Sequence, residues 1–209
     1  ISGGGTGGHV FPAIAIAHAI KEEHPGADLL FVGAQGRIEM EKVPQAGYRI
    51  EALPIRGMPR KFSLKMLVFL RDLFRSMLKA RKIVKRFMPN LVVGVGGYAS
   101  GPIGRVAASH GIPLVIQEQN SYAGITNKLL ARHASKICVA YDYMDRYFPA
   151  GKIIKTGNPI RQDLLNLQVD KLAAREYFKL QAPYSKVILV LGGSGGARQM
   201  NQSILNHLE

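Results

Sequence analysis

The residues best suited to do chemistry sit in three glycine-rich loops. The first is Gly3-Gly4-Gly5-Thr6-Gly7-Gly8-His9. The second is Gly94-Val95-Gly96-Gly97-Tyr98-Ala99-Ser100-Gly101-Pro102, and the third is Gly192-Gly193-Ser194-Gly195-Gly196-Ala197. Each lies between a short apolar run and a segment with helical patterning. Glycine lets the backbone turn tightly and approach a ligand. The helix that follows offers unpaired amides and a positive dipole end, which suits phosphate. Three such loops at the carboxyl ends of strands point to one crevice, where ligands of open α/β sheets bind. His9 ends the first loop near a helix start, which favours the neutral imidazole and suits a general base; a capping or solvated histidine is the plainer alternative. The run Gln117-Glu118-Gln119-Asn120 follows a strand and suits recognition of sugar or ribose hydroxyls; a solvated loop is the plainer alternative. Arg161 follows Gly157-Asn158-Pro159-Ile160 and is placed to meet a phosphate or a surface acid.

Other chemistries fit less well. No loop ends in Gly-Lys-Ser/Thr, which disfavours a P-loop kinase or GTPase. A dinucleotide fold expects an acid at the end of its second strand, and Gly33-Ala34-Gln35 stands there instead. A nicotinamide-dependent oxidoreductase is therefore a runner-up. His18, His24, His110, His133 and His207 share no spacing, and no cluster has the spacing of metal ligands, so no metal is expected. A single thiol, Cys138, excludes a disulfide framework.

The elements that must position these loops alternate. Strands are predicted at 29–32, 48–53, 91–95, 114–116, 136–139 and 153–155. Helices are predicted at 10–23, 64–87, 102–110, 123–131 and 141–147. Apolar strands interleaved with helices imply a mostly parallel sheet covered on both faces, an α/β fold. Asn158-Pro159 reads as a boundary, because the residue before proline is pushed out of the helical region. A new cycle follows, with a helix at 171–178, a strand at 186–191 and a helix at 197–208. The expected division is therefore residues 1–160 and 161–209, the second part being the start of a truncated domain. Ile1-Ser2-Gly3 reads as the end of a strand, so a fragment clipped at both ends is expected.

Charge is concentrated in one place. Of 209 residues, 28 are basic and 14 acidic, for a net charge of +14. Residues 56–86 hold eleven of the basic residues and one acid, Asp72. On the predicted helix 64–87, Arg71, Arg75, Lys79, Lys82 and Arg86 form one stripe. Phe69, Leu73, Met77, Ala80, Val84 and Phe87 lie opposite and are expected to face the sheet. Before the helix come Met58, Pro59 and Phe62 among Arg60 and Lys61. Leu64, Leu67 and Val68 lie beside the basic stripe. Cationic side chains mixed with apolar ones suit an anionic bilayer surface. Nucleic acid fits less well, since few aromatics accompany the patch and no nucleic-acid motif is present. No apolar stretch approaches the roughly 18 residues needed to cross a bilayer. A cytoplasmic protein, soluble or surface-bound, is expected.

The three loops, with Val10-Phe11-Pro12-Ala13 after the first, Glu118-Gln119-Asn120, Gly157-Asn158-Pro159-Ile160-Arg161 and Ala197-Arg198 after the third, occur together in one order. The set resembles the MurG family of bacteria. The resemblance implies a two-domain GT-B fold, of which this chain would hold the N-terminal Rossmann-like half and the start of the donor half. It implies an inverting glycosyltransferase that moves N-acetylglucosamine from UDP-N-acetylglucosamine to undecaprenyl-pyrophosphoryl-N-acetylmuramoyl-pentapeptide. That step makes the last cytoplasmic precursor of peptidoglycan, and so serves cell-wall synthesis, cell shape and division. Carried over by motif, Thr6, Gly7, Gly8, Asn120, Arg161 and Ser194 would contact the UDP-sugar. His9 would be the general base. Gly96, Gly97, Tyr98 and Ser100 would hold the acceptor pyrophosphate. Arg60, Lys61, Phe62, Arg71, Arg75 and Lys79 would form the membrane patch on the cytoplasmic face of the inner membrane. No metal or other cofactor is implied, and other cell-wall synthesis proteins are candidate partners. The family commonly has Gln where Gly195 stands and His where Gln117 stands. The alternatives are a related enzyme acting on another lipid, such as a diacylglycerol, or a non-catalytic phosphate-binding module.

Overall fold

A computed structural model describes residues 1–57, 59, 64–161, 167–180, 186–192 and 197–207. The chain divides into two compact units, Ile1–Leu165 and Asn166–Glu209.

In the first unit six strands run parallel: β1 (Leu30–Ala34), β2 (Arg49–Leu53), β3 (Val92–Gly94), β4 (Leu114–Glu118), β5 (Lys136–Val139) and β6 (Ile153–Lys155). β1 pairs with β2, and β3 to β6 pair in sequence. Ser2 joins the two sets, bridging Val32 on one side and Gly94 on the other. Its amide donates to Val93 O at 2.7 Å, and its carbonyl accepts from Val95 N at 2.9 Å. The order across the sheet is thus β2-β1-Ser2-β3-β4-β5-β6. The helices are α1 (Gly7–Glu23), α2 (Glu39–Gln45), α3 (Leu64–Phe87), α4 (Ser100–Ser109) and α5 (Ile125–Leu130).

Alternation along the strands fills two cores, because successive side chains point to opposite faces. Phe31 and Val93 join Val10, Ile14, Ala17 and Val43 of α1 and α2. Their neighbours Val32 and Val92 join Ile83 and Val84 of α3, Ile103 of α4 and Leu130 of α5. Both faces are covered, which explains why the strands read as near-continuous apolar runs.

Three elements differ from expectation. α2 is unexpected: it is seven residues long and carries Pro44, which weakens a helical signature. The segment 141–147 is not an α-helix but a single 3₁₀ turn, Met144–Arg146, because Tyr143 before it takes the left-handed conformation at φ 60°. Helix 123–131 is shorter, Ile125–Leu130, and tightens into a 3₁₀ turn at Ala131–His133.

In α3 the expected inward face holds. Ala80 and Val84 are buried, and Phe69, Leu73 and Met77 pack on the core. Asp72 and Ser76 are buried on the same face. The outward face is more apolar than expected: Leu70, Phe74 and Leu78 join Leu67 and Val68 in solvent.

The second unit contains α6 (Lys171–Tyr177) and α7 (Arg198–Leu205). The side chain of Asp170 caps α6, accepting from Leu172 N at 2.8 Å. The expected strand at 186–191 is absent: these residues are exposed and carry no ladder. A strand is stable only against a neighbour, and none among the described residues pairs with it.

Candidate functional site

The first two glycine loops meet backbone to backbone. Gly97 has φ 81°, and a Cβ there would lie 2.1 Å from Gly4 O. A Cβ on Gly3 would lie 2.0 Å from Val95 Cγ2. Only glycine permits both this conformation and this approach. Beneath them lies the side chain of Glu39, 1% exposed. Its Oε2 accepts from Gly5 N and its Oε1 from Ala34 N, each at 2.9 Å. Glu39 thus fastens the first loop to the end of β1. The Gly5 amide is spent on it, and so is the strand end where a dinucleotide fold would present an acid.

The amides of Gly7 and Gly8 are left. His9 N and Val10 N reach back to Thr6 O, while the first two amides of α1 have no partner within the helix. Thr6 and Gly8 are exposed. This end of α1 is therefore open to an anion.

His9 leans over the second loop. A Cβ on Gly96 would lie 2.9 Å from its Cε1, so the ring occupies the space that glycine vacates. His9 Nδ1 is 2.9 Å from Gln119 Oε1. Gln119 is fixed the other way round: its Nε2 donates to Val95 O at 2.9 Å and also contacts Gln117 Oε1. Its oxygen must then face His9. The imidazole therefore donates from Nδ1, which leaves Nε2 as the acceptor nitrogen of the neutral ring.

Glu118, 1% exposed, holds the other wall. Oε1 accepts from Asn120 N at 3.0 Å and Asn120 Nδ2 at 3.1 Å. Oε2 accepts from Gly124 N and Asn127 Nδ2 at 2.9 Å. Asn127 is 1% exposed, and its Oδ1 has no partner among the described residues. The cleft between these walls measures about 410 Å³.

Thr6, His9, Gly96, Gly97 and Tyr98 line that cleft. Asn120 is exposed and turned onto Glu118, outside the lining. Arg161 lies with its guanidinium 6.0 Å from the Phe11 ring, beside the start of α1. Ser100 is different from expectation. It is 1% exposed and its hydroxyl faces Ser2 O at 2.7 Å and Gly96 O at 2.8 Å, so its side chain braces the sheet instead of facing a ligand. Ser194, Arg60, Lys61 and Phe62 lie outside the described residues. Arg71, Arg75 and Lys79 are exposed on α3. Sequence reasoning missed Glu39, Asn127 and Arg37, the last of which also borders the cleft. Glu118 and Gln119, in the polar run at the end of β4, were within its reach.

Residues 1–139 match the model of the glycosyltransferase family 28 N-terminal domain. Over all 209 residues the chain is 57% identical to the UDP-N-acetylglucosamine--N-acetylmuramyl-(pentapeptide) pyrophosphoryl-undecaprenol N-acetylglucosamine transferase of Phocaeicola vulgatus, covering 55% of that protein. It is 56% identical to the protein of the same name from Bacteroides fragilis, again covering 55%. The chain thus spans about half the length of the curated relatives it matches. Among solved structures, Acinetobacter baumannii MurG aligns with a TM-score of 0.70 at 27% identity, over 96% of this chain and 54% of that one. Sequence and fold agree that the chain belongs to glycosyltransferase family 28, through its N-terminal domain.

Proposed function

We propose that this chain is the acceptor-side half of an inverting transferase. The whole enzyme moves N-acetylglucosamine from UDP-N-acetylglucosamine to undecaprenyl-pyrophosphoryl-N-acetylmuramoyl-pentapeptide. The observation that carries the reading is His9, its Nδ1 held by Gln119, in a cleft bordered by the open end of α1. The names of the relatives support the substrates.

In this reading His9 Nε2 takes the proton of the muramoyl 4-hydroxyl. The freed oxygen attacks the anomeric carbon opposite UDP, the C–O bond to the diphosphate breaks, and a β-1,4 link forms. Charge growing on the diphosphate is met by the Gly7 and Gly8 amides and by Arg161. Tyr98, Gly96 and Gly97 face the acceptor, and Asn127 Oδ1 accepts from a substrate hydroxyl. Thr6 and Asn120 complete the donor contacts of this half. No metal or cofactor enters these steps.

The enzyme works at the cytoplasmic face of the inner membrane, held there by α3. Leu67, Leu70, Phe74 and Leu78 stand in solvent beside Arg71, Arg75 and Lys79. Such a helix lies in the interface plane, with cations on anionic headgroups. Among the described residues no helix is long and apolar enough to cross a membrane.

In the full-length enzyme, His9→Ala should lower kcat by roughly 10²–10⁴, as expected for loss of a general base. Steady-state kinetics with both substrates checks this, and a loss under about tenfold removes His9 from that role.

A further inference from the structure

Arg37 borders not only the glycine-loop cleft but a second recess of about 520 Å³. Three parts of the chain build it: the segment leaving β1 (Gln35, Arg37), the segment leaving β2 (Arg56), and one turn of α3 (Arg71, Asp72, Arg75). Four guanidinium groups share it with one carboxylate. Asp72 is 3% exposed. Its Oδ1 accepts from Arg71 Nε at 3.1 Å and Arg71 Nη2 at 2.9 Å, and its Oδ2 lies 2.9 Å from Arg56 Nε. The hydrogen bond from Arg71 outweighs burial and, with the charges of Arg71, Arg56 and Arg75, holds the Asp72 carboxyl below its ordinary range. One negative charge therefore faces four positive ones at neutral pH. Arg37 and Arg75 make no salt bridge among the described residues.

Like charges gathered in a recess repel one another and raise the local potential until a counter-charge arrives. The guanidinium fork matches phosphate oxygens two at a time, which an ammonium does not. The recess also lies at the carboxyl ends of two parallel strands, where open α/β sheets take ligands. We propose that this recess is a phosphate subsite, separate from the glycine-loop cleft, taking a phosphate or diphosphate ester of at least two negative charges. Asp72 is its strut, fixing Arg56 and Arg71, while Arg37 and Arg75 supply the unspent charge. Arg71 and Arg75 stand on the same helix as the exposed Leu67 and Phe74, so the phosphate of a lipid headgroup can reach the recess from a bilayer. That source rests on the membrane reading above; a soluble phosphate needs only the recess.

The test uses the 209-residue chain and two probes. Inorganic pyrophosphate is titrated calorimetrically. Vesicles of phosphatidylcholine doped with phosphatidic acid or phosphatidylglycerol, at equal surface charge, are assayed by co-sedimentation. Wild type is compared with R56Q/R75Q and with K79Q/K82Q, which removes the same charge from α3 outside the recess. Saturable pyrophosphate binding, weakened about tenfold or more by R56Q/R75Q and far less by K79Q/K82Q, supports the subsite. Preference for phosphatidic acid, lost in R56Q/R75Q, names a lipid headgroup as the source. Pyrophosphate binding without that preference names a soluble one. Equal effects of the two pairs, or neither saturable binding nor headgroup preference, overturn the subsite. Should R56Q/R75Q fail to fold, Arg75→Gln alone replaces it, since Arg75 makes no salt bridge among the described residues. Wild type that ignores all vesicles yet binds pyrophosphate through Arg75 removes the membrane reading and keeps the recess. Vesicle binding weakened equally by both pairs, with no pyrophosphate binding, does the reverse.

Discussion

At the cleft floor Gly97 comes so close to Gly4 that a methyl group does not fit, whereas on the outer face of α3 Leu67 and Phe74 each leave 64% of their surface in solvent. Both regions belong to one unit. One is specified by backbone, through glycine torsions, buried carboxylates and amides. The other is specified by side-chain type, with large apolar groups left in solvent among cationic ones. The difference teaches where each kind of substitution registers. Changes at the cleft floor are felt by folding before they are felt by ligands. Changes on the outer face of α3 leave folding alone and alter only what the protein adheres to.

The sharpest break of this contrast is Gly97→Ala. Its Cβ meets Gly4 O, and its φ of 81° is left-handed. Overpacking and torsional strain together should cost roughly 2–4 kcal/mol. Gly111→Ala is the control: φ is 70°, but nothing lies within 4 Å of its Cβ, so about 1 kcal/mol of strain is expected alone. Denaturant melts of both variants compare them, and equal losses would show that the two loops do not interlock.

A smaller effect is expected on the other side. Leu67→Ser with Phe74→Ser should weaken binding to anionic vesicles by about 10–100-fold, from the apolar area no longer inserted. Stability should stay within about 0.5 kcal/mol of wild type, as for exposed positions. A large fall in melting temperature would mean that this face packs inside the protein after all.

The smallest effect lies on the inward face of α3, at Asp72. Because the Asp72 carboxyl is held below its ordinary range, chiefly by Arg71, it titrates lower in the folded chain than in the unfolded one. Its contribution to stability is therefore present above the unfolded carboxylate range and lost as pH falls through the folded value. Asp72→Asn should flatten the fall in stability as pH drops through and below the ordinary carboxylate range. Parallel acid-denaturation curves would contradict this.

Much of this fold was legible because burial on both faces writes itself into composition. The six apolar runs predicted between residues 29 and 155 are β1 to β6, and α3 has the bounds its periodicity predicts. What was illegible depends on contacts distant in sequence. His9 and Gln119 are 110 residues apart, so the orientation that fixes the imidazole proton leaves no local trace. Glu39 reads as a surface acid in a polar stretch, because only the folded chain brings Gly5 to it. Ser100 misled for the opposite reason. A serine after a glycine loop looks like a phosphate contact, yet the sheet claims its hydroxyl first. The run at 186–191 has strand composition, but composition cannot supply a neighbouring strand.

The mutual approach of Gly4 and Gly97 also restricts how this cleft can be retuned. Gly97 cannot gain a side chain unless the main chain at Gly4 retreats, and Gly4 cannot unless Glu39 moves. A mutagenesis library aimed at new ligands would therefore waste most of its diversity on the floor. Useful variants would come from the rim, at Thr6, Tyr98 and Ile125, where side chains already reach solvent.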